Sequence, residues 1–177
     1  MSENIFVPID YSDAVNHVPA GEQIIYSTMV EYVQQRVNDI ATAASRYVTH
    51  MLITENGMVY NKIKSKKKPP EYRYIPWTDI YSTGQRMGWG YISTGMSIQP
   101  GAEIFYLRQD KNFEDKKTFK ERSKKFPLVS LPLIIQSKKD LLQSPAAAGL
   151  KPSKINKIEK QILKLEKQYD KAAKKLG

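Results

Sequence analysis

The sequence predicts an α+β, mainly β fold. An antiparallel sheet of about seven strands curls into a small barrel and is capped by a helix, and a separate basic helix ends the chain. Short β-prone runs punctuated by turn residues fill the chain from Gly21 to Leu107. Helical composition begins at Phe113, and from Ser153 onward one regular apolar stripe continues to the end. These three observations together indicate the fold class.

Length and composition favour one domain with an appendage. The chain has 177 residues, of which 41% are hydrophobic, enough for a single core. We divide it into an irregular lead-in (1–20), a barrel-and-helix domain (21–143), a linker (144–152) and a basic amphipathic helix (153–177).

The first two long strands are predicted from alternating side chains. One face of the first strand carries Ile24, Tyr26, Thr28, Val30 and Tyr32, and one face of the second carries Tyr47, Thr49, Met51 and Ile53. Glu55-Asn56-Gly57 predicts a turn, because Asn and Gly accept positive φ at little cost. Met58–Tyr60 then opens a third strand, which predicts a hairpin.

A lysine-rich loop follows the hairpin and ends at Pro69-Pro70. The chain resumes an extended run at Tyr72 that reaches Ile80. Pro100-Gly101 predicts another hairpin turn, between strands at Met96–Ile98 and Glu103–Leu107. A helix is predicted over 113–126 with Asn112 as its N-cap, and the apolar segment that follows is expected to pack against the barrel.

The C-terminal segment predicts a helix with a narrow apolar stripe. Its apolar residues recur at alternating steps of three and four, the spacing of a helix that packs on a partner helix: Ile155, Ile158, Ile162, Leu165 and Tyr169. Docking on the domain, self-association and continuation into a longer helical region all remain open.

Charge is distributed unevenly along the chain. Residues 1–110 hold 10 Lys+Arg and 11 Asp+Glu, whereas residues 111–177 hold 18 and 7, so the two parts carry −1 and +11. Such an excess indicates an anionic partner, which can be nucleic acid, phospholipid or an acidic protein. Lysines that only keep exposed helices soluble explain it equally well.

The candidate lipid- or anion-binding residues are the lysines clustered on the hairpin loop and two arginines that follow it in sequence, because clustered positive charge attracts phosphates. The set comprises Lys62, Lys64, Lys66, Lys67, Lys68, Arg73 and Arg86. A solvated loop is the alternative interpretation. Arg86, Trp89 and Tyr91 are a further candidate tip, for which ordinary turn and core packing is the alternative.

The sequence gives little support for catalysis. There is no cysteine, and neither His17 nor His50 has the spacing of a metal ligand. The glycine-rich run at 84–90 lacks the Lys-Ser/Thr of a phosphate-binding loop and predicts a turn. We therefore expect a non-enzyme without metal or cofactor. No secretory signal and no apolar run of membrane-spanning length is evident, so we expect a cytoplasmic protein that can associate peripherally with membranes.

Several segments resemble the pleckstrin-homology-like superfamily, which includes GRAM, bacterial PH-like and GLUE domains. GEQIIYS (21–27) is similar to the entry into their first strand, and THMLITENGMVY (49–60) to their second-strand hairpin. IPWTDI (75–80) is similar to a strand motif of these domains. The segment 103–126 resembles their final strand passing into the C-terminal helix.

The resemblance implies a recruitment module that places a complex at a membrane. GLUE domains as a family bind phosphoinositides, ubiquitin or both, and the tail from Lys154 looks like a helix of the GLUE-bearing subunit of ESCRT-II or of bacterial PH-like proteins. The expected partners are an anionic membrane surface, ubiquitin or an ESCRT-type protein. One alternative is an RNA- or DNA-binding barrel that stacks bases on its tyrosines, and another is a scaffold that assembles through the C-terminal helix.

Overall fold

The computed structural model describes residues 5–6, 14–34, 45–62, 69, 71–95, 102–112 and 114–176. The strands are β1 (Ile5–Phe6), β2 (Ile24–Gln34), β3 (Ser45–Thr54), β4 (Gly57–Lys62), β5 (Glu71–Pro76), β6 (Ser82–Arg86), β7 (Trp89–Ser93) and β8 (Glu103–Arg108). Two long helices follow, α1 (Lys116–Gln143) and α2 (Pro152–Leu176).

Seven of the strands form a single antiparallel sheet in the order β5-β4-β3-β2-β8-β7-β6. The short β1, which lies within the predicted lead-in, adds to β3 in parallel. Helix α1 packs on β6, β7 and the segment that follows β5, so it covers the inner face of the curled sheet. This arrangement confirms the predicted α+β fold with a curled antiparallel sheet capped by a helix. In the described part of the chain helix is more abundant than strand, so the fold is not mainly β as predicted.

The alternation predicted for the first two long strands is confirmed. Val30 and Tyr32 of β2 and Met51 and Ile53 of β3 are at most 1% exposed and belong to one core cluster. The opposite face of β3 is buried as well, with His50 9%, Leu52 3% and Thr54 0% exposed. The alternation therefore reflects the period of two of a strand and not burial of a single face.

The turn between β3 and β4 forms where predicted, but for a different physical reason. Neither Asn56 nor Gly57 has positive φ. A side chain at Gly57 would instead lie 2.5 Å from the Ile75 carbonyl oxygen and 2.6 Å from the Tyr74 ring. Glycine is therefore required by the close approach of β5.

The extended run predicted to reach Ile80 ends earlier, at Pro76. Trp77–Asp79 form a 3₁₀ helix, and Trp77 is completely buried with its indole Nε1 donating to the Thr54 carbonyl at 3.0 Å. The bend turns the large ring into the core, where burial outweighs continuation of the strand.

Helix α1 is longer than predicted and starts later. Its N-cap is Asp115 rather than Asn112, since the Asp115 carboxylate accepts a hydrogen bond of 2.7 Å from the Thr118 backbone N–H. The helix continues through Pro127 and Pro132 to Gln143. Phe126, Leu131 and Ile134 are at most 1% exposed, and their burial outweighs a cost of about 3 kcal/mol per internal proline.

Helix α2 is docked on α1 within the same chain. The connection contains a 3₁₀ helix at Pro145–Gly149. Ile158, Ile162 and Leu165 are buried, and Leu165 belongs to the same core cluster as the sheet. Because α1 packs against the sheet on one side and α2 on the other, its apolar residues do not form one stripe.

Candidate functional site

Of the predicted lysine loop, the structure describes only its first residue; Lys64, Lys66, Lys67 and Lys68 lie outside the described residues, as does the predicted hairpin turn at Pro100-Gly101. Lys62 is half-buried, with its Nζ 3.8 Å from Glu103 Oε1. The Tyr60 hydroxyl donates to Glu103 Oε2 at 2.5 Å. Part of the Lys62 charge is therefore already compensated inside the chain.

Arg73 lies beside the same group, directly across the β4–β5 ladder from Tyr60. Burial raises the pKa of the Tyr60 hydroxyl far above its ordinary range, and the hydrogen bond to Glu103 raises it further, whereas Arg73 lowers it. The hydroxyl stays protonated, so it can serve as a fixed hydrogen-bond donor to the carboxylate. This cluster anchors the base of the lysine loop.

Arg86 is not part of that cluster. Its guanidinium Cζ lies 4.4 Å from the centroid of the Tyr91 ring, next to the turn that joins β6 and β7. Arg108, at the end of β8, stacks on Trp89 of the same hairpin, while Lys62 contacts Glu103 at the start of β8. The two ends of this strand are about 16 Å apart, so the predicted cations divide between two surfaces.

The β6–β7 turn exposes an apolar side chain that the sequence analysis did not single out. Met87 is 94% exposed, and its φ of 50° is followed by a φ of 81° at Gly88. Positive φ at both central residues is the type I′ pattern, which strongly prefers Asn or Gly at the first position. Methionine in this conformation costs about 1–2 kcal/mol, and no core contact offsets that cost.

A surface pocket of about 610 Å³ opens beside the turn. Apolar side chains from four different elements contribute to its wall, with cations placed around them. The apolar residues are Met29, Val48, Met87, Trp89 and Phe119; the cations are Arg108, Lys111, Lys116 and Lys120.

The cations at this pocket differ in whether an acidic side chain of the same chain already compensates them. Arg108 Nε lies 3.3 Å from Glu31 Oε2, so its charge is compensated. Lys111, Lys116 and Lys120 are exposed, and within the described part of the chain none of them forms an ion pair. Among the described residues that line the pocket, Asp110 is the single acid. The pocket is therefore net positive with an apolar wall.

His50 adds no positive charge near this pocket at neutral pH. Burial lowers the pKa of its imidazole, and the Asp110 carboxylate opposes that change without reversing it. The positive potential at this pocket is therefore due to its lysine and arginine side chains.

The residues predicted to pack on a partner helix belong to α2, and they pack against α1 of the same chain. Of the five, Ile158, Ile162 and Leu165 are buried, and Ile155 and Tyr169 are half-buried. The Lys139–Glu166 ion pair, 2.8 Å between Nζ and Oε1, flanks the same contact. The stripe is therefore used within the chain.

Within the described ranges, no three His, Cys, Asp or Glu side chains are grouped closely enough to hold a metal ion. The described helices likewise include none that is long and apolar enough to cross a membrane.

Sequence reasoning located the basic excess beyond residue 110 but not its placement around Met87. The sequence feature that could have indicated this surface is Met87, a methionine between Arg86 and a glycine in the turn-like run GQRMGWG. Compared with known proteins, the chain matches no family model and has no significantly similar curated relative.

Proposed function

We propose that this chain is a non-enzymatic recruitment module that binds anionic phospholipid surfaces, with the β6–β7 turn facing the membrane. The observation that carries the proposal is Met87, an exposed apolar side chain held in a left-handed conformation beside three lysines without ion pairs. An unfavourable conformation at an exposed position is consistent with selection for contact rather than for stability.

The chemistry suits the boundary between lipid head groups and acyl chains. Each lysine near an anionic bilayer contributes about 1 kcal/mol, and burial of the Met87 side chain contributes about 2 kcal/mol. Together with three lysines this amounts to about 5 kcal/mol, equivalent to a dissociation constant of a few tenths of a millimolar. The account therefore predicts weak, salt-sensitive binding by one copy.

The predicted lysine loop is a second contact in this proposal. It begins at Lys62, at the other end of β8, and its remaining lysines would add to affinity if both regions reach the bilayer. Two weak contacts within one chain reinforce one another through their effective concentration.

Vesicle co-sedimentation tests the proposal. The wild-type chain should pellet increasingly as phosphatidylserine is added to phosphatidylcholine vesicles, and less as salt increases. Replacing Lys111, Lys116 and Lys120 with Gln should weaken binding by about 100-fold, the equivalent of three surface lysines.

The matched control replaces Lys154, Lys157 and Lys160 of α2, which are equally exposed and give the same net charge. An equal loss of vesicle binding in the two variants would show that only the overall charge matters. That result would refute the proposal that the β6–β7 turn faces the membrane. Binding to labelled ubiquitin or to an oligonucleotide, with no vesicle binding, would favour the protein-binding or nucleic-acid alternative instead.

A further inference from the structure

A second pocket, of about 520 Å³, lies between β6, the middle of α1 and the last turns of α2. Its volume falls within the range of small-molecule sites. Lysines from both helices line it, Lys124 from α1 and Lys171 and Lys175 from α2. The amides of Gln85 and Gln168 add polar groups.

This pocket concentrates positive charge without internal compensation. Among the described residues that line it there is no Asp or Glu. Within the described residues, the three lysines form no ion pair, and Glu166 of α2 is already paired with Lys139. The Arg86 guanidinium, stacked on the Tyr91 ring that lines the pocket, adds a fourth cation nearby.

One polar group at the pocket has an unmet hydrogen-bonding capacity. The Oε1 atom of Gln168 is buried and has no hydrogen-bond partner among the described residues. A buried amide oxygen without a partner is costly, by about 1–3 kcal/mol.

We propose that the pocket binds a compact phosphate-bearing anion that bridges α1 and the end of α2. Lysine ammonium groups meet phosphate oxygens as point charges with several hydrogen-bond donors each. The bound anion would offset the mutual repulsion of Lys124, Lys171 and Lys175, which otherwise opposes docking of the last turns of α2. The site is distinct from the surface around Met87 and needs no bilayer.

Calorimetric titration of the full chain with inorganic pyrophosphate and with inositol trisphosphate tests the site. Both probes carry the phosphate chemistry, and tighter binding of the inositol compound would identify a lipid head group as the source, whereas equal binding would indicate free phosphates. Replacing Lys171 and Lys175 with Gln should weaken either probe by at least about tenfold, the loss expected from one charged hydrogen bond.

Replacing Lys154 and Lys157 with Gln is the matched control, since these lysines lie on the same helix about 20–30 Å from Lys171 and Lys175 and are exposed. The control should bind within about twofold of wild type, because salt screens charges at that distance. Equal weakening in both variants, or binding only to vesicles that carry these head groups, would overturn the proposal.

Amide hydrogen exchange distinguishes an anion that bridges α1 and the end of α2 from one that binds without joining the two helices. Amides in the segment 166–176 should exchange more slowly when pyrophosphate is bound, since the anion ties this segment to α1. Unchanged exchange there at saturating pyrophosphate would refute the bridge.

Discussion

At the scale of single residues, Arg122 is the strongest link between α1 and the sheet. Its Nη1 donates to the Tyr26 hydroxyl at 2.8 Å and to Thr28 Oγ1 at 2.6 Å. Its Nε and Nη2 form two bonds to the Glu114 carboxylate, of 3.1 and 2.6 Å. The bidentate pair with Glu114 fixes the orientation of the guanidinium against the connection between β8 and α1. The bonds to Tyr26 and Thr28 then join α1 to β2.

The Glu114 carboxylate makes this link sensitive to acid. Burial alone would raise its pKa, but hydrogen bonds from Arg122 and from the Asp110 backbone bring the pKa below the ordinary range of about 4.3. A carboxyl whose folded pKa is lowered stabilises the fold above its unfolded pKa, and this contribution is lost as pH falls through the folded pKa.

Glu114→Gln should therefore lower the free energy of unfolding by about 2 kcal/mol at pH 7, as expected for hydrogen bonds to a charged group. The difference from wild type should shrink as pH falls below about 4. Urea unfolding across pH measures both effects, and Glu121→Gln, at an exposed position of the same region, is the control. A constant difference at every pH would contradict the assignment of the pair.

At the scale of elements, α2 is part of the folded domain rather than an appendage. Leu165 is 3% exposed and joins the core cluster, whereas Leu163, two residues earlier, is 59% exposed. Lys138 of α1 is buried beneath the same contact, with Nζ 3.2 Å from Gln161 Oε1. The helix therefore contributes both apolar and polar contacts to the body.

Leu165→Ala should lower the free energy of unfolding by about 2–5 kcal/mol, the range for a buried leucine, and Leu163→Ala by less than about 0.5 kcal/mol. The two variants make the same change on one helix and differ only in burial. Urea unfolding followed by tryptophan fluorescence, which reports on the sheet and the 3₁₀ segment, should register the first and not the second. Equal midpoints would show that α2 unfolds independently.

The elements differ in how far the sequence could predict them. Strands β2 and β3 were predictable because successive side chains of a strand alternate between its two faces, so the apolar residues of the main core recur with a period of two. The length of α1 was not, because Pro127 and Pro132 indicate interruption locally, and only contacts with the sheet and α2 outweigh them. The 3₁₀ segment at Trp77 likewise depends on burial of a ring among residues distant in sequence.

The candidate site was likewise predictable from the sequence only in part. The basic excess after residue 110 was visible as composition, but the surface around Met87 brings together the β6–β7 turn and the start of α1. That grouping depends on the sheet order, which places β7 beside β8 and thereby near the chain entering α1. The turn type, which exposes Met87, is equally invisible without backbone dihedrals.

At the scale of the whole molecule, uncompensated positive charge gathers on two separate surfaces. One surrounds Met87 at the β6–β7 turn, and the other lies between α1 and α2. The first combines lysines with an exposed apolar side chain, as a bilayer contact requires, and the second is a pocket of small-molecule size. The two proposed ligands, a charged bilayer surface and a soluble anion, would therefore bind at different places.

The central claim is that the β6–β7 turn enters the head-group region of an anionic bilayer. The chain has no cysteine, so Met87→Cys provides one site for a polarity-sensitive fluorophore, with Ala148→Cys on the exposed 3₁₀ connection as the control. On phosphatidylserine-containing vesicles, emission from the label at position 87 should shift to the blue and intensify, while the control stays unchanged. Vesicle-bound protein in which the label at position 87 keeps its aqueous spectrum would contradict the claim.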